Sequence, residues 1–265
     1  PYSIAYPQIV NIYDEFPCLP IGNVIEDNKY CHKESPASAV FIDRDMKTIN
    51  DWQSFMSNNV EEKILHGTTT VGIKATDGVV LCADMRASAG YFIANNNTMK
   101  IQQIDLHAGL TLAGGVADAQ NIVDVLRYHS NLHRVDKQNS ISIHSLARLC
   151  SLIFHQNRGY PFMADILLGG YDANGPALFN VDMFGSVEEK SYVTTGSGSP
   201  VAYGLLEEEY RNDLTVEEAK KVALRAVKAA IVRNIGTGDG INIATMDKNG
   251  FRLLTDEQKK SVLEL

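Results

Sequence analysis

His66-Gly67-Thr68-Thr69-Thr70, running into Val71-Gly72-Ile73-Lys74-Ala75, is the stretch on which the reading of this chain turns. A Gly-Thr junction opening a strand well inside a chain points to a threonine that becomes an amino-terminus only after cleavage. Such a residue is nucleophile and base at once, because its freed α-amine titrates at about 7.7–8.0 beside its own hydroxyl. The competing reading is the plain start of an edge strand. What lies on either side decides between them.

Composition changes at Gly67. The residues up to it hold Pro1, Pro7, Pro17, Pro20 and Pro36 of the chain's 8 prolines, but only Gly22 and Gly67 of its 20 glycines. Proline disfavours helix interiors and central strands, so residues 1–40 read as an extended, irregular segment. Met46, Ile49, Trp52, Phe55 and Met56 recur at helical spacing and predict a short helix docking on an apolar surface. The expected division is a leader over residues 1–67 and a folded domain over residues 68–265.

From Thr68 onward the pattern is regular. Residues 68–75 and 79–83 read as strands joined at Thr76-Asp77-Gly78, where Asp-Gly favours a hairpin. Further strands are expected over 91–94, 99–104 and 110–112. Two amphipathic helices follow, one presenting Val116, Ala119, Ile122 and Leu126, the other Ile143, Leu146, Leu149 and Ile153 before a stop near Gly159. Strands resume over 165–168, 177–181 and 191–194, with a turn across 172–176. Ser199-Pro200 reads as an N-cap with proline behind it, and Thr215-Val216-Glu217-Glu218 as a capping box. Strands near 241–244 and 251–254 finish the chain. The strand blocks are hairpin-like, so the order suits two antiparallel sheets face to face with helix pairs outside.

A nucleophilic Thr68 needs a cation, oxyanion donors and a proton route. Lys100, between apolar Met99 and Ile101, could point into a site and have its pKa lowered by desolvation, or could be a solvated lysine at a strand end. Asp84 could hold that lysine, or could pair at the surface with Arg86. Gly114-Gly115 before a helix offers bare N–H groups for an oxyanion, or is merely a tight turn. Gly196-Ser197-Gly198-Ser199 could supply hydroxyls and N–H donors to such a site, or could bind phosphate.

Gly67-Thr68-Thr69-Thr70-Val71-Gly72-Ile73, Ala83-Asp84-Met85-Arg86-Ala87-Ser88-Ala89-Gly90, Met99-Lys100-Ile101, Leu112-Ala113-Gly114-Gly115-Val116-Ala117-Asp118 and Thr195-Gly196-Ser197-Gly198-Ser199-Pro200 together resemble a beta subunit of the proteasome core particle. The likeness is to the chymotrypsin-like catalytic type (beta type-5) and equally to archaeal beta subunits. It implies an α+β fold, the four-layer αββα sandwich of N-terminal nucleophile hydrolases. It also implies a threonine endopeptidase, made as a zymogen that cuts itself at Gly67-Thr68 and needs no metal or organic cofactor. By resemblance the nucleophile falls on Thr68, the essential lysine on Lys100 and its carboxylate partner on Asp84. The serine assisting the α-amine falls on Ser197 and the oxyanion N–H on Gly114. Ser88 would pair its backbone with an extended substrate. Ala87, Ala89, Thr98, Leu112 and Val116 match the pocket for the residue before the scissile bond. With no charge among them, they imply cleavage after large hydrophobic residues.

Where the family usually has aspartate after the arginine ending the last long helix, Arg233 is followed by Asn234. Thr237 replaces a nearby serine and keeps its hydroxyl. Asparagine accepts hydrogen bonds but carries no charge, so the expectation is reduced activity or slower maturation. The family's partners would be other beta subunits in a seven-membered ring, a stacked alpha ring and unfolded polypeptide substrates.

Composition bounds the alternatives. With 45% hydrophobic residues, 21% charged residues and a net charge of −8, the chain has a globular composition and is a poor binder of nucleic-acid phosphates. No run of 18 apolar residues suggests a membrane span, and the first residues do not read as a secretory signal. Cys18, Cys31, Cys82 and Cys150 lack metal or disulfide spacing; Cys82 and Cys150 read as buried thiols. The expected compartment is the cytoplasm, with the nucleus added for a eukaryotic chain. A non-catalytic ring subunit would lack the threonine, lysine or preceding glycine. A phosphate binder would have to use Gly196–Ser199 or Gly236–Gly240, neither of which fits a nucleotide-loop spacing.

Overall fold

The computed structural model describes residues 67–159 and 161–264. The extended segment over 1–40 and the helix over 46–56 expected from the sequence lie outside the described residues. In chain order the elements begin with β1 (Thr70–Lys74), β2 (Gly78–Asp84), β3 (Ala87–Ala89), β4 (Phe92–Asn95), β5 (Ile101–Asp105) and β6 (Ala108–Gly114). Helices α1 (Val116–Lys137) and α2 (Ile143–Gln156) come next, then β7 (Ala164–Asp172), β8 (Gly175–Val181), β9 (Val187–Glu189) and β10 (Tyr192–Thr195). Helices α3 (Ser199–Glu209) and α4 (Val216–Arg233), strands β11 (Ile241–Asp247) and β12 (Gly250–Leu253), and helix α5 (Asp256–Glu264) complete the fold.

One sheet has the order β10-β1-β2-β11-β12 and the other β5-β6-β7-β8-β9, with β3 and β4 as a separate hairpin. Every pairing is antiparallel. Strand periodicity of two explains the layering. Along β2, Val79, Leu81 and Ala83 point between the sheets and meet Leu167, Leu178 and Met246. Val80 and Cys82 point the other way, into the cluster formed with α3 and α4. On β7, Leu167 faces the inter-sheet layer while Ile166 and Leu168 join α1 and α2. Both strands are covered on both faces, which is why 79–83 is continuously apolar rather than alternating. Each large side chain so buried contributes roughly 1.5–3 kcal/mol. The result is the αββα sandwich expected from the element order.

Several boundaries differ. The first strand begins at Thr70, because Thr68 and Thr69 are drawn off to other partners. Helix α2 stops at Gln156. Gly198, not Ser199, is the N-cap of α3, with no side-chain cap bond and proline inside the first turn. The capping box on α4 forms as expected, Thr215 accepting from Glu218 N and Glu218 from Thr215 N. Helix α5 went unanticipated, although Thr255 and Gln258 form the same reciprocal pair at its start. Cys82 and Cys150 are buried free thiols; burial pushes both up, Cys150 to about 12.

Candidate active site

Strand β1 lies between β10 and β2, so the chain ahead of it enters the middle of a sheet rather than an edge. Thr68, Thr69 and Thr70 are all buried. Their hydroxyls are matched: Thr69 Oγ1 lies 2.8 Å from Thr237 Oγ1, and Thr70 Oγ1 lies 2.7 Å from Thr195 Oγ1 and accepts from Thr111 at 3.1 Å. A polar run in a core is tolerated only on such terms. The Thr68 hydroxyl differs in facing a cavity, and it donates to the Gly67 carbonyl at 2.7 Å.

The backbone around Thr68 is held on three sides. Its N–H donates to Ser197 Oγ at 3.3 Å, and its carbonyl accepts from Gly198 N at 3.2 Å. Gly67 N donates to Ser88 Oγ at 2.7 Å. Gly196 adopts φ +89°, where a Cβ would stand 2.2 Å from the Thr68 carbonyl oxygen; only glycine fits.

Asp84 ends β2 with no exposed surface. Its Oδ1 accepts from Lys100 Nζ at 2.7 Å and Thr69 N at 2.9 Å; its Oδ2 accepts from Gly238 N at 2.9 Å and Arg86 N at 3.2 Å. The surface pairing with Arg86 is not made by this carboxylate, because the Arg86 guanidinium is taken bidentately by Asp239. Lys100 is buried rather than solvated. Burial pulls its pKa below the ordinary lysine value, partly offset by Asp84. A desolvated lysine amine is thereby held by one carboxylate beside the Thr68 cavity.

Gly114, at φ +111°, closes β6, and a Cβ there would meet the Met163 carbonyl oxygen at 2.1 Å. Gly115 caps α1 without any side-chain bond, so the helix opens with bare N–H groups beside the cavity. Asn234 Oδ1 accepts from Ser197 Oγ at 3.1 Å, Gly236 N at 2.9 Å and Thr237 Oγ1 at 3.1 Å. Asn234 and Thr237 are thereby joined to Thr68 through Ser197 and Thr69.

The cavity measures 530 Å³ and contains Thr68, Lys100 and Gly114 in its wall. Ala87, Ser88, Thr98, Leu112 and Val116 line it as expected. Ala89 does not. Ala89 ends the three-residue β3 and is exposed. Beyond those positions, Gln120, Asp124 and Arg127 of α1 also reach the wall. Gln120, Asp124 and Arg127 follow Val116 at helical spacing, a signal that could have found them. Arg127 spends its charge on Gln103 O at 2.8 Å and Gln102 Oε1 at 3.0 Å, with Asp124 3.9 Å away.

The phosphate reading fails on donors already used. Gly198 N serves Thr68 O, Ser199 N serves Gly196 O, and in the second loop Gly236 N and Gly238 N serve Asn234 and Asp84.

Among the described residues no helix is long and apolar enough to cross a membrane. The family model described as "Proteasome subunit" matches residues 64–246. A Nitrosopumilus maritimus protein named "Proteasome subunit beta 2" is 90% identical over 210 residues, which are 79% of this chain and 100% of that protein. The protein of the same name from Cenarchaeum symbiosum is 85% identical over 210 residues, again 79% of this chain and 100% of its own length. "Proteasome subunit beta" of Methanosarcina mazei is 43% identical over 201 residues, 76% of this chain and 96% of that one. Of the two likenesses noted in the sequence, the archaeal one is therefore the one supported. With a buried Lys100–Asp84 pair and a gripped Gly67-Thr68 junction inside that match, the chain belongs to the proteasome subunit family, as a beta-type threonine peptidase of the core particle.

Proposed function

We propose that Thr68 is the nucleophile and that it is released by self-cleavage of the Gly67–Thr68 bond, residues 1–67 forming a leader. The observation that carries this is the Thr68 hydroxyl held 2.7 Å from the Gly67 carbonyl oxygen inside a cavity that also contains Lys100. In the uncleaved chain the Thr68 nitrogen is an amide and cannot act as base. Its hydroxyl oxygen bonds to the Gly67 carbonyl carbon, the carbon–nitrogen bond breaks, and the nitrogen gains a proton to become the α-amine. Water then hydrolyses the resulting ester and frees the leader with a carboxylate on Gly67. The relatives matched over 100% of their own length align with 210 residues of this chain, 79% of it.

In the freed enzyme the α-amine takes the hydroxyl proton, with Ser197 orienting it and Asn234 and Thr237 supporting Ser197. Lys100, held by Asp84, stabilises the nucleophilic oxygen, and Gly114 N–H faces the oxyanion. The acyl-enzyme is hydrolysed by water. Ser88 pairs its backbone with the extended substrate. Ala87, Thr98, Leu112 and Val116 favour a large hydrophobic side chain before the scissile bond, because they carry no charge and Arg127 in the same wall is already engaged by Gln102 and Gln103.

Members of this family assemble with other proteasome subunits; for this chain we propose a seven-membered beta ring stacked on an alpha ring, acting on unfolded polypeptides in the cytoplasm. The test is the amino-terminus of the assembled protein. Sequencing should begin at Thr68 in the wild type, and Thr68→Ala should stay uncut and inactive. A different terminus, or hydrolysis surviving Thr68→Ala, overturns the reading.

A further inference from the structure

A second cavity, of 470 Å³, shares Gly114 with the first and is walled by Gly196 and Ser197. It therefore lies on the α-amine side of Thr68, since the Thr68 N–H points at Ser197 Oγ. The departing amine must collect its proton from that α-amine. The carboxy-terminal half of a cut peptide, with its new amino-terminus, thus leaves past Ser197, while the acyl half occupies the first cavity beside Ser88. Resting on the proposed function, this gives the second cavity a natural occupant: the residue just after the scissile bond.

Its chemistry is set by Asp165 and Asn180. In the register of β7 and β8, Ile166 faces Val181 and Leu167 faces Asn180. Asp165 and Asn180 thus share the face of Leu167, a residue of the apolar layer between the sheets. Two polar side chains continue a hydrophobic layer at its open end. Asp165 is the charged residue in this cavity wall, and its side chain makes no hydrogen bond or ion pair among the described residues. Asn180 Oδ1 is buried without a partner, and a half-turn of its amide would exchange the oxygen for the nitrogen. Unpaired polar groups in such a place cost stability unless something completes them.

We infer that Asp165 and Asn180 form a subsite selecting a lysine or arginine immediately after the scissile bond. The cation pairs with the Asp165 carboxylate and donates to the Asn180 amide oxygen. Burial, then Asp182, hold the Asp165 carboxyl above the usual carboxylate range; an incoming cation opposes both by favouring the charged carboxylate.

The test uses the assembled particle and peptides identical up to a leucine before the cut, followed by Lys, Gln or Glu. Competitive digestion read by mass spectrometry should give kcat/KM for Lys over Glu of about tenfold or more. Asp165→Asn, close to isosteric, should bring that ratio to near unity, and Asp165→Glu should restore most of it. Equal cutting of the Lys and Glu peptides by the wild type overturns the inference, as does a preference that survives Asp165→Asn. Cutting without preference refutes this subsite alone. A wild type that cuts none of the peptides, matching Thr68→Ala, instead refutes the catalytic reading on which it rests.

Discussion

Lys100 Nζ stands 2.7 Å from Asp84 Oδ1, and the two side chains are 5% and 0% exposed. Removing either partner strands the other, which for a buried pair costs about 3–5 kcal/mol. Lys100→Ala should therefore lower thermal stability as well as abolish hydrolysis, read by calorimetry and peptide assay together. Asp84→Asn removes the influence that raises the lysine pKa and leaves the burial that lowers it. If charged Lys100 is required, the alkaline limb of the activity profile should move to lower pH in Asp84→Asn. An unmoved limb argues against a charged lysine. For stability, the unfolded chain binds the lysine proton more tightly than the folded one. Lys100's contribution therefore improves as pH rises between its lowered folded value and its ordinary unfolded value.

Gly67 cannot gain a side chain in place: a Cβ would lie 2.0 Å from Gly236 Cα. Gly67→Val must push the Gly67 carbonyl away from the Thr68 hydroxyl. Uncut chain should accumulate, with self-cleavage slowed about a hundredfold, measured by intact mass over time. Normal maturation of this variant would show that the close approach is irrelevant to the cut.

Asn234 accepts three hydrogen bonds on one oxygen, and aspartate could accept the same three. Asn234→Asp should keep the geometry and add charge near the α-amine, raising its pKa. We expect turnover to rise about two- to tenfold and the acid limb of the profile to move to higher pH. Asn234→Leu should orphan the three donors and lower turnover. Identical profiles for wild type and Asn234→Asp would remove the charge argument.

Arg86 spans the loop after α4, donating to Asp239 and, through Nη1, to the Ile235 carbonyl at 2.8 Å. That loop brings Gly238 N to Asp84 and Thr237 to Thr69. Arg86→Ala should loosen both and reduce kcat about ten- to hundredfold with KM little changed. A rise in KM alone would mean that Arg86 serves substrate binding instead.

The layered fold was legible because its signals are local and periodic. The continuous apolar run 79–83 marks a strand covered on both faces, and Thr215 with Glu218 marks the start of α4. The misses are equally local: the exposed place of Ala89 at the end of β3 and the reciprocal pair that opens α5. The Asp84–Lys100 pair was legible only through resemblance, since the residues themselves allowed a solvated lysine and a surface Asp84–Arg86 contact.

Residue order alone determined two antiparallel sheets between helix pairs, and a threonine behind a glycine at the mouth of a strand, because hydrophobic period and turn chemistry act over a few neighbours. Only the tertiary structure decided which charges are buried and what each polar atom meets. Asp84 draws donors from residues 69, 86, 100 and 238, and Asp165 draws none among the described residues. Desolvation and hydrogen-bond satisfaction depend on segments distant in the chain, and these meet only when the sheets close.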